Sequence, residues 1–155
     1  MSKVPVLLWA LLTLPALSAQ VPASAETSRP NFVLIVADDL GYGQLGCYGH
    51  PERFTPHLDR MAREGMRFTD FHTSGAVCSP TRAGLLTGRY HQRAGIHRAF
   101  LGRFERDRHL GLDPRETTFA ELLSDVWYRT GLIGKWHLGF RPEFPPLSHG
   151  FDRFH

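Results

Sequence analysis

A chain of 155 residues that is 42% hydrophobic and 21% charged is neither disordered nor collagen-like, and it holds one domain at most. Two cysteines are too few for a disulfide scaffold, so packing has to hold the fold. The formal net charge of +3 is too mild to point to nucleic acid as a partner.

The N-terminus carries Lys3, then the apolar run VPVLLWALLTLPALSA interrupted by Pro15, then ASA at Ala23 to Ala25. A basic start, a short apolar core and small residues at an A-x-A site mark residues 1–25 as a cleaved signal peptide. The run is too short and too Pro-broken for a stable membrane span. Residues 26–155 are then an exported chain, secreted or periplasmic, or lysosomal in a eukaryote. An uncleaved anchor is the competing reading.

NFVLIVADD, residues 31–39, is apolar throughout and closes on two carboxylates, which predicts a central strand of a parallel sheet covered on both faces. A helix follows over TPHLDRMAREG, with Thr55 as N-cap, Pro56 at the first helical position, Leu58, Met61 and Ala62 on one face and Gly65 as the stop. MRFTDFHT alternates as a second strand. CSPTRAGLLTGR, Cys78 to Arg89, opens a second helix in which Ser79 reads as N-cap and Pro80 as first helical residue. The arginine-crowded residues 89–109 read as a solvated loop before they read as a patch for an anionic substrate. Thr118 to Glu121 forms a capping box ahead of a helix carrying Phe119, Leu122 and Leu123. RTGLIGKWHLG gives a third strand that ends in polar chemistry at Lys135 and His137.

Strands alternating with helices predict an α/β fold with a mainly parallel sheet flanked by helices. In open sheets of this kind ligands bind at the carboxyl ends of strands, so Asp38, Asp39, the Cys78 turn, Lys135 and His137 can converge on one site. Successive strand side chains point opposite ways, and the two aspartates reach one ion only if the chain bends, for which LGYG supplies the glycines. Their hard oxygens suit Ca²⁺ or Mg²⁺. A helix cap or surface turn is the plain alternative for the pair.

Four readings compete for Cys78. The first is a small buried apolar residue. The second is a thiolate activated by a helix N-terminus and Arg82, as in a thiol phosphatase, but such enzymes place five residues between Cys and Arg and here only three intervene. The third is a disulfide with Cys47.

The fourth comes from a resemblance. CSPTRAGLLTGR looks like the signature of the sulfatase family of the alkaline phosphatase superfamily, in which the cysteine of a C-x-P-x-R core is oxidised to formylglycine. NFVLIVADDLGYG and GKWHLG are similar to two further motifs of that family, in the same order. The resemblance runs from Pro30 to Phe154 and implies an incomplete sulfatase-like α/β domain over residues 26–155, hydrolysing a sulfate ester. It also implies a formylglycine-generating enzyme as a partner in maturation, reading Cys78, Pro80 and Arg82.

Carried over, Asp38 and Asp39 bind a divalent cation, usually Ca²⁺, together with the modified Cys78. One hydroxyl of the hydrated aldehyde attacks sulfur and expels the alcohol, and the other lets the intermediate collapse to aldehyde and sulfate. Arg82 holds the hydrate, Lys135 binds a sulfate oxygen, and His137 hydrogen-bonds the hydrate and takes its proton. Lys135 is also the only lysine after the signal.

Relatives run several hundred residues and supply further metal and sulfate ligands, so the chain alone is expected to be aggregation-prone, to bind Ca²⁺ weakly and to turn over no aryl sulfate. A phosphonate or phosphate ester hydrolase, or a truncated non-catalytic product, are the alternatives. At Trp127 relatives usually carry glycine, which puts the helix end there in question.

Overall fold

The computed structural model describes residues 29–52 and 54–155, and the signal peptide assigned to residues 1–25 lies outside them. The chain divides into two compact units, Met1–Val36 and Ala37–His155. Residues 31–36 of the first unit make no ladder, with Val33 and Ile35 86% and 77% exposed. The strand expected at 31–39 is therefore not formed. An apolar run becomes a strand only when a neighbour supplies ladder partners, and none among the described residues does so. Residues 66–73 are likewise irregular, tied down by the hydroxyls of Tyr48 and Tyr42, which donate to the carbonyls of Phe68 and Thr69 at 2.9 Å each.

The second unit runs through two 3-10 turns (Tyr42–Gln44, Gly46–Tyr48), α1 (Pro56–Glu64), α2 (Cys78–Thr87), α3 (Glu105–Arg108), α4 (Phe119–Asp125), β1 (Gly131–Leu132), a further 3-10 turn (Pro146–His149) and β2 (Arg153–Phe154). Strand β1 pairs in parallel with β2, Gly131 opposite Arg153 and Leu132 opposite Phe154. The parallel sheet is present in this short form.

Helix α1 has the expected limits, Pro56 in its first turn and Gly65 closing it with its N–H on the Met61 carbonyl. Thr55 precedes it, but its hydroxyl donates to Asp59 Oδ1 and accepts from the Gly46 N–H instead of capping its own helix. Helix α2 starts earlier than the sequence implied. Val77, extended at φ −139°, is its N-cap, and the Thr81 N–H reaches the Val77 carbonyl at 3.1 Å. Ser79 lies inside the first turn, fully buried, with Oγ accepting from the Phe100 N–H at 3.2 Å. A hydroxyl engaged by a donor from another segment is lost to capping. Pro80 still costs nothing there, because the first four N–H groups of a helix have no intrahelical acceptor.

The capping box before α4 forms as expected, with Thr118 Oγ1 accepting from the Glu121 N–H and the Glu121 carboxylate accepting from the Thr118 N–H. At its other end Trp127 takes φ 70°, a left-handed conformation that costs a residue with a Cβ about 1 kcal/mol. Its N–H donates to the Ser124 carbonyl and that of Tyr128 to Leu123, so a tryptophan fills the place that glycine normally takes in this helix stop.

Ala83, Leu86, Ile96, Phe100, Leu112, Ala120, Trp136, Leu138 and Phe151 belong to the core, beneath α2, α4 and the segment after β1. Gly111 and Gly139 pair in an isolated antiparallel bridge, and the Phe144 side chain lies so close over both that a Cβ on either would collide with it. His149 is fully buried against Trp136, ring centroids 5.4 Å apart, with no partner on either ring nitrogen among the described residues. In the arginine-rich residues 89–109 Arg89 pairs with Glu116 and Arg108 with Glu105. Ala94, Ile96 and Phe100, however, enter the core and Arg98 pairs with the fully buried Asp107, so the segment is only in part the solvated loop expected. Cys47 and Cys78 are free thiols, so the disulfide reading of Cys78 does not hold.

Replacing Trp127 by glycine is expected to stabilise the chain by about 1 kcal/mol, read as a raised melting temperature, while alanine there gains nothing. Burial holds the His149 imidazole below its ordinary value, against a smaller opposing pull from Glu121 and Asp113. The unfolded chain thus takes up that proton first as pH falls. Stability is full above pH ~6.5 and declines as pH drops toward the lowered folded value. Melting curves taken across that range should slope downward in the wild type and less steeply in His149→Gln.

Candidate functional site

The cluster forms where residues 38–39, the first turn of α2 and the segment after β1 meet. Asp38 stands next to Asp39, whose φ of 56° supplies the bend that two adjacent carboxylates need to reach one point. Cys78 is the first residue of α2 and half-buried. One ligand atom from each of Asp38, Asp39 and Cys78 lies within 4.8 Å of the other two.

Lys135 crosses this group. Its Nζ donates to Asp38 Oδ2 at 2.8 Å and to Cys78 Sγ at 3.2 Å. Arg82, one turn along α2 from Cys78, divides its guanidinium between the Lys135 carbonyl at 2.6 Å and Asp38 Oδ1 at 3.4 Å. Its side chain is only 15% exposed. The Lys135 hydrogen bond, helped by its charge and by Arg82, holds the Asp38 carboxyl below the usual range. Asp38, followed by Cys78, holds the Lys135 ammonium above its own.

His137 is placed differently. Its backbone is left-handed, φ 61°, and its Nε2 meets the Phe100 carbonyl. A carbonyl only accepts, so Nε2 carries the hydrogen. Nδ1 is buried with no hydrogen-bond partner among the described residues. Of the non-glycine residues with positive φ among those described, two are thus candidate site residues, as expected where backbone strain is kept for function.

The structure therefore gathers Asp38, Asp39, Cys78, Arg82 and Lys135 into one cluster, and links His137 to the same helix through Phe100 and Ser79. Ser79 and Phe100 were not singled out by the sequence as site residues. For Ser79 a signal existed in its position beside Cys78. For Phe100, which contributes its peptide, none did. The donor set fits a divalent cation: two oxygens bound at roughly 2.4 Å to one ion lie at most about 5 Å apart. The carboxylates are hard donors, and an oxygen in place of Cys78 sulfur would make the third one hard as well.

The family model for sulfatases matches residues 30–155. The chain is 52% identical over 132 residues to arylsulfatase A of Bos taurus, covering 84% of this chain and 25% of that protein. It is 43% identical over 152 residues to N-acetylgalactosamine-6-sulfatase of Canis lupus familiaris, covering 94% and 28%. Among solved structures it is similar to the PsFucS1 sulfatase from Pseudoalteromonas sp., with a TM-score of 0.67 and 38% identity over 77% of this chain and 24% of that one. A second, BT4656 in complex with its substrate D-glucosamine-2-N,6-O-disulfate, gives a TM-score of 0.67 and 33% identity over 81% of this chain and 22% of that one. The chain spans about a quarter of the length of the curated relatives it matches.

Replacing Lys135 by methionine removes the main group lowering the Asp38 carboxyl, which should then titrate at higher pH than in the wild type. In the wild type the pairing stabilises the fold above pH ~4 and is lost as acid protonates Asp38. Side-chain carboxyl shifts followed by ¹³C NMR read both titrations, and an unchanged Asp38 curve would contradict the pairing.

Proposed function

The chain belongs to the sulfatase family, and on that footing we propose that it carries the nucleophile and cation-binding part of a sulfuric ester hydrolase. The observation that supports this most is the position of Lys135 Nζ, in hydrogen-bond contact with both Asp38 and Cys78 beside a second carboxylate. A positive group shared between a nucleophile position and a metal-binding carboxylate is what an anionic ester needs on arrival.

In this reading Asp38, Asp39 and residue 78 hold Ca²⁺ or another divalent cation, which supplies Lewis acidity at the sulfate oxygens. Cys78 is oxidised to formylglycine, whose hydrate supplies the attacking oxygen. With Asp38 shared with the cation, the Lys135 ammonium would be available to a sulfate oxygen as a compact, movable charge. Arg82 does not travel with it. Held on α2 and by the Lys135 carbonyl, its guanidinium fixes where the Lys135 main chain sits and offsets charge at position 78. His137, with Nε2 tied to Phe100, has Nδ1 as the lone pair that can accept a proton from the hydrate. The substrate class is a sulfate ester, and in this reading residues 1–25 act as a signal peptide, so that the reaction runs outside the cytoplasm.

Co-expression with a formylglycine-generating enzyme should convert Cys78, seen by mass spectrometry of the peptide that contains it. Pro80→Ala should reduce conversion more than it lowers the melting temperature. Because the chain alone is expected to turn over no aryl sulfate, the ester assay is run on a fusion that joins it to the C-terminal remainder of a curated relative. Sulfate release from an aryl sulfate ester, set against phosphate release from the matched phosphate ester, then reads the reaction class. Sulfate release abolished in Cys78→Ala is the expected result. An unmodified thiol, or phosphate release that survives Cys78→Ala, would contradict the proposal.

A further inference from the structure

Phe100 sits between two segments of the site. Its N–H donates to Ser79 Oγ at 3.2 Å, one residue beyond Cys78, and its carbonyl accepts from His137 Nε2. One residue's peptide groups thus orient the start of α2 and the His137 ring together. The side chain, 2% exposed, is anchored in the core, yet residues 97–101 belong to no helix or strand, so no regular ladder fixes this backbone.

The missing constraint comes from α3. Asp107 is fully buried, and its Oδ2 accepts from the Leu101 N–H at 2.7 Å while its Oδ1 pairs with Arg98 at 2.5 Å. Those partners lie on either side of Phe100. The Leu101 amide, ahead of Arg98 and Arg106, keeps the Asp107 carboxyl below the usual range. Asp107 is itself set by its N–H on the Phe104 carbonyl and by its own carbonyl, which accepts from the Leu110 N–H. Burying a carboxylate is costly, and an apolar side chain of similar volume often fills such a place as stably. What the carboxylate adds is direction, a fixed point for the residues before and after Phe100.

Resting on the reading of His137 and Cys78 as reaction-centre residues, we propose that Asp107 is a positioning residue: through Leu101 and Arg98 it fixes the Phe100 peptide, which holds the His137 ring with Nε2 protonated and Nδ1 as its free lone pair. Asp107 touches none of the reacting atoms. Its influence passes through one backbone carbonyl.

The test compares Asp107→Ala, Asp107→Asn and Arg98→Gln in the full chain, using imidazole ¹⁵N shifts for the His137 tautomer and amide hydrogen exchange at Phe100 and Leu101. In Asp107→Ala the Leu101 amide should exchange about tenfold faster, and the two His137 nitrogens should move toward an averaged tautomer. Asp107→Asn, which keeps an acceptor for Leu101, should restore most of the wild-type pattern. Arg98→Gln alters a side chain 45% exposed and covers the case in which Asp107→Ala does not fold. It should produce a smaller change in the same direction, confined to residues 98–101 and His137. A lowered melting temperature with wild-type His137 shifts, in Asp107→Ala or, where that variant does not fold, in Arg98→Gln, would make Asp107 merely structural and overturn the proposal. Neither readout requires sulfate release. Failure of the sulfatase reading would show in the Cys78 mass and the ester assay, and failure of this proposal in the His137 shifts.

Discussion

Asp38 is where segments 44 and 97 residues apart in sequence are tied together, by Arg82 and Lys135. Residues 38 and 39 have no ladder to hold them, so their position depends on this contact. An isolated, half-exposed lysine–aspartate pair contributes little, typically below about 1 kcal/mol. Here the pair is part of a network. The well-covered Arg82 guanidinium uses one nitrogen for Asp38 and another for the Lys135 carbonyl, so a single planar group on α2 fixes both partners. Asp38 keeps its place because Arg82 is well covered and itself held by the Lys135 carbonyl.

The same network sets the electrostatics. Two carboxylates, Asp38 and Asp39, face two cations, Lys135 and Arg82, and the cluster is close to neutral as it stands. A divalent cation on the carboxylates would shift the balance to positive, freeing Lys135 to meet an anion. On the proposed reading, metal and anionic ester would therefore favour one another at this cluster. The acid sensitivity expected of the surrounding fold has a separate origin in His149, which is buried behind Trp136, the residue between Lys135 and His137.

Much of this was legible in the chain. Pro56 and Gly65 bracket α1 because a proline fits a first turn and a glycine a stop. Thr118 and Glu121 cap α4 because both halves of that motif lie within four residues. Asp38, Asp39, Cys78, Lys135 and His137 were expected to converge from their places at predicted strand and helix ends. The first four do, although residues 31–39 form no strand. His137 instead turns its Nε2 to the Phe100 carbonyl and is linked to the cluster only through Phe100 and Ser79. What escaped the sequence depends on partners distant in the chain. Ser79 resembles a cap, but Phe100 claims its hydroxyl. The apolar run at 31–36 has a strand's composition and no described neighbour to pair with. Asp107 looks like one more charge in an arginine-rich loop, and only burial distinguishes it.

The central claim is that Asp38, Asp39 and residue 78 form one cation site with Lys135 as its internal counter-charge. Paramagnetic broadening by Mn²⁺, competed with Ca²⁺, tests it most directly, because it detects weak binding residue by residue. The account predicts broadening centred on residues 38–39, 78 and 135, reversed by Ca²⁺ and absent from the Asp38→Asn, Asp39→Asn double variant. Broadening centred elsewhere on the chain, or unchanged in the double variant, would contradict it.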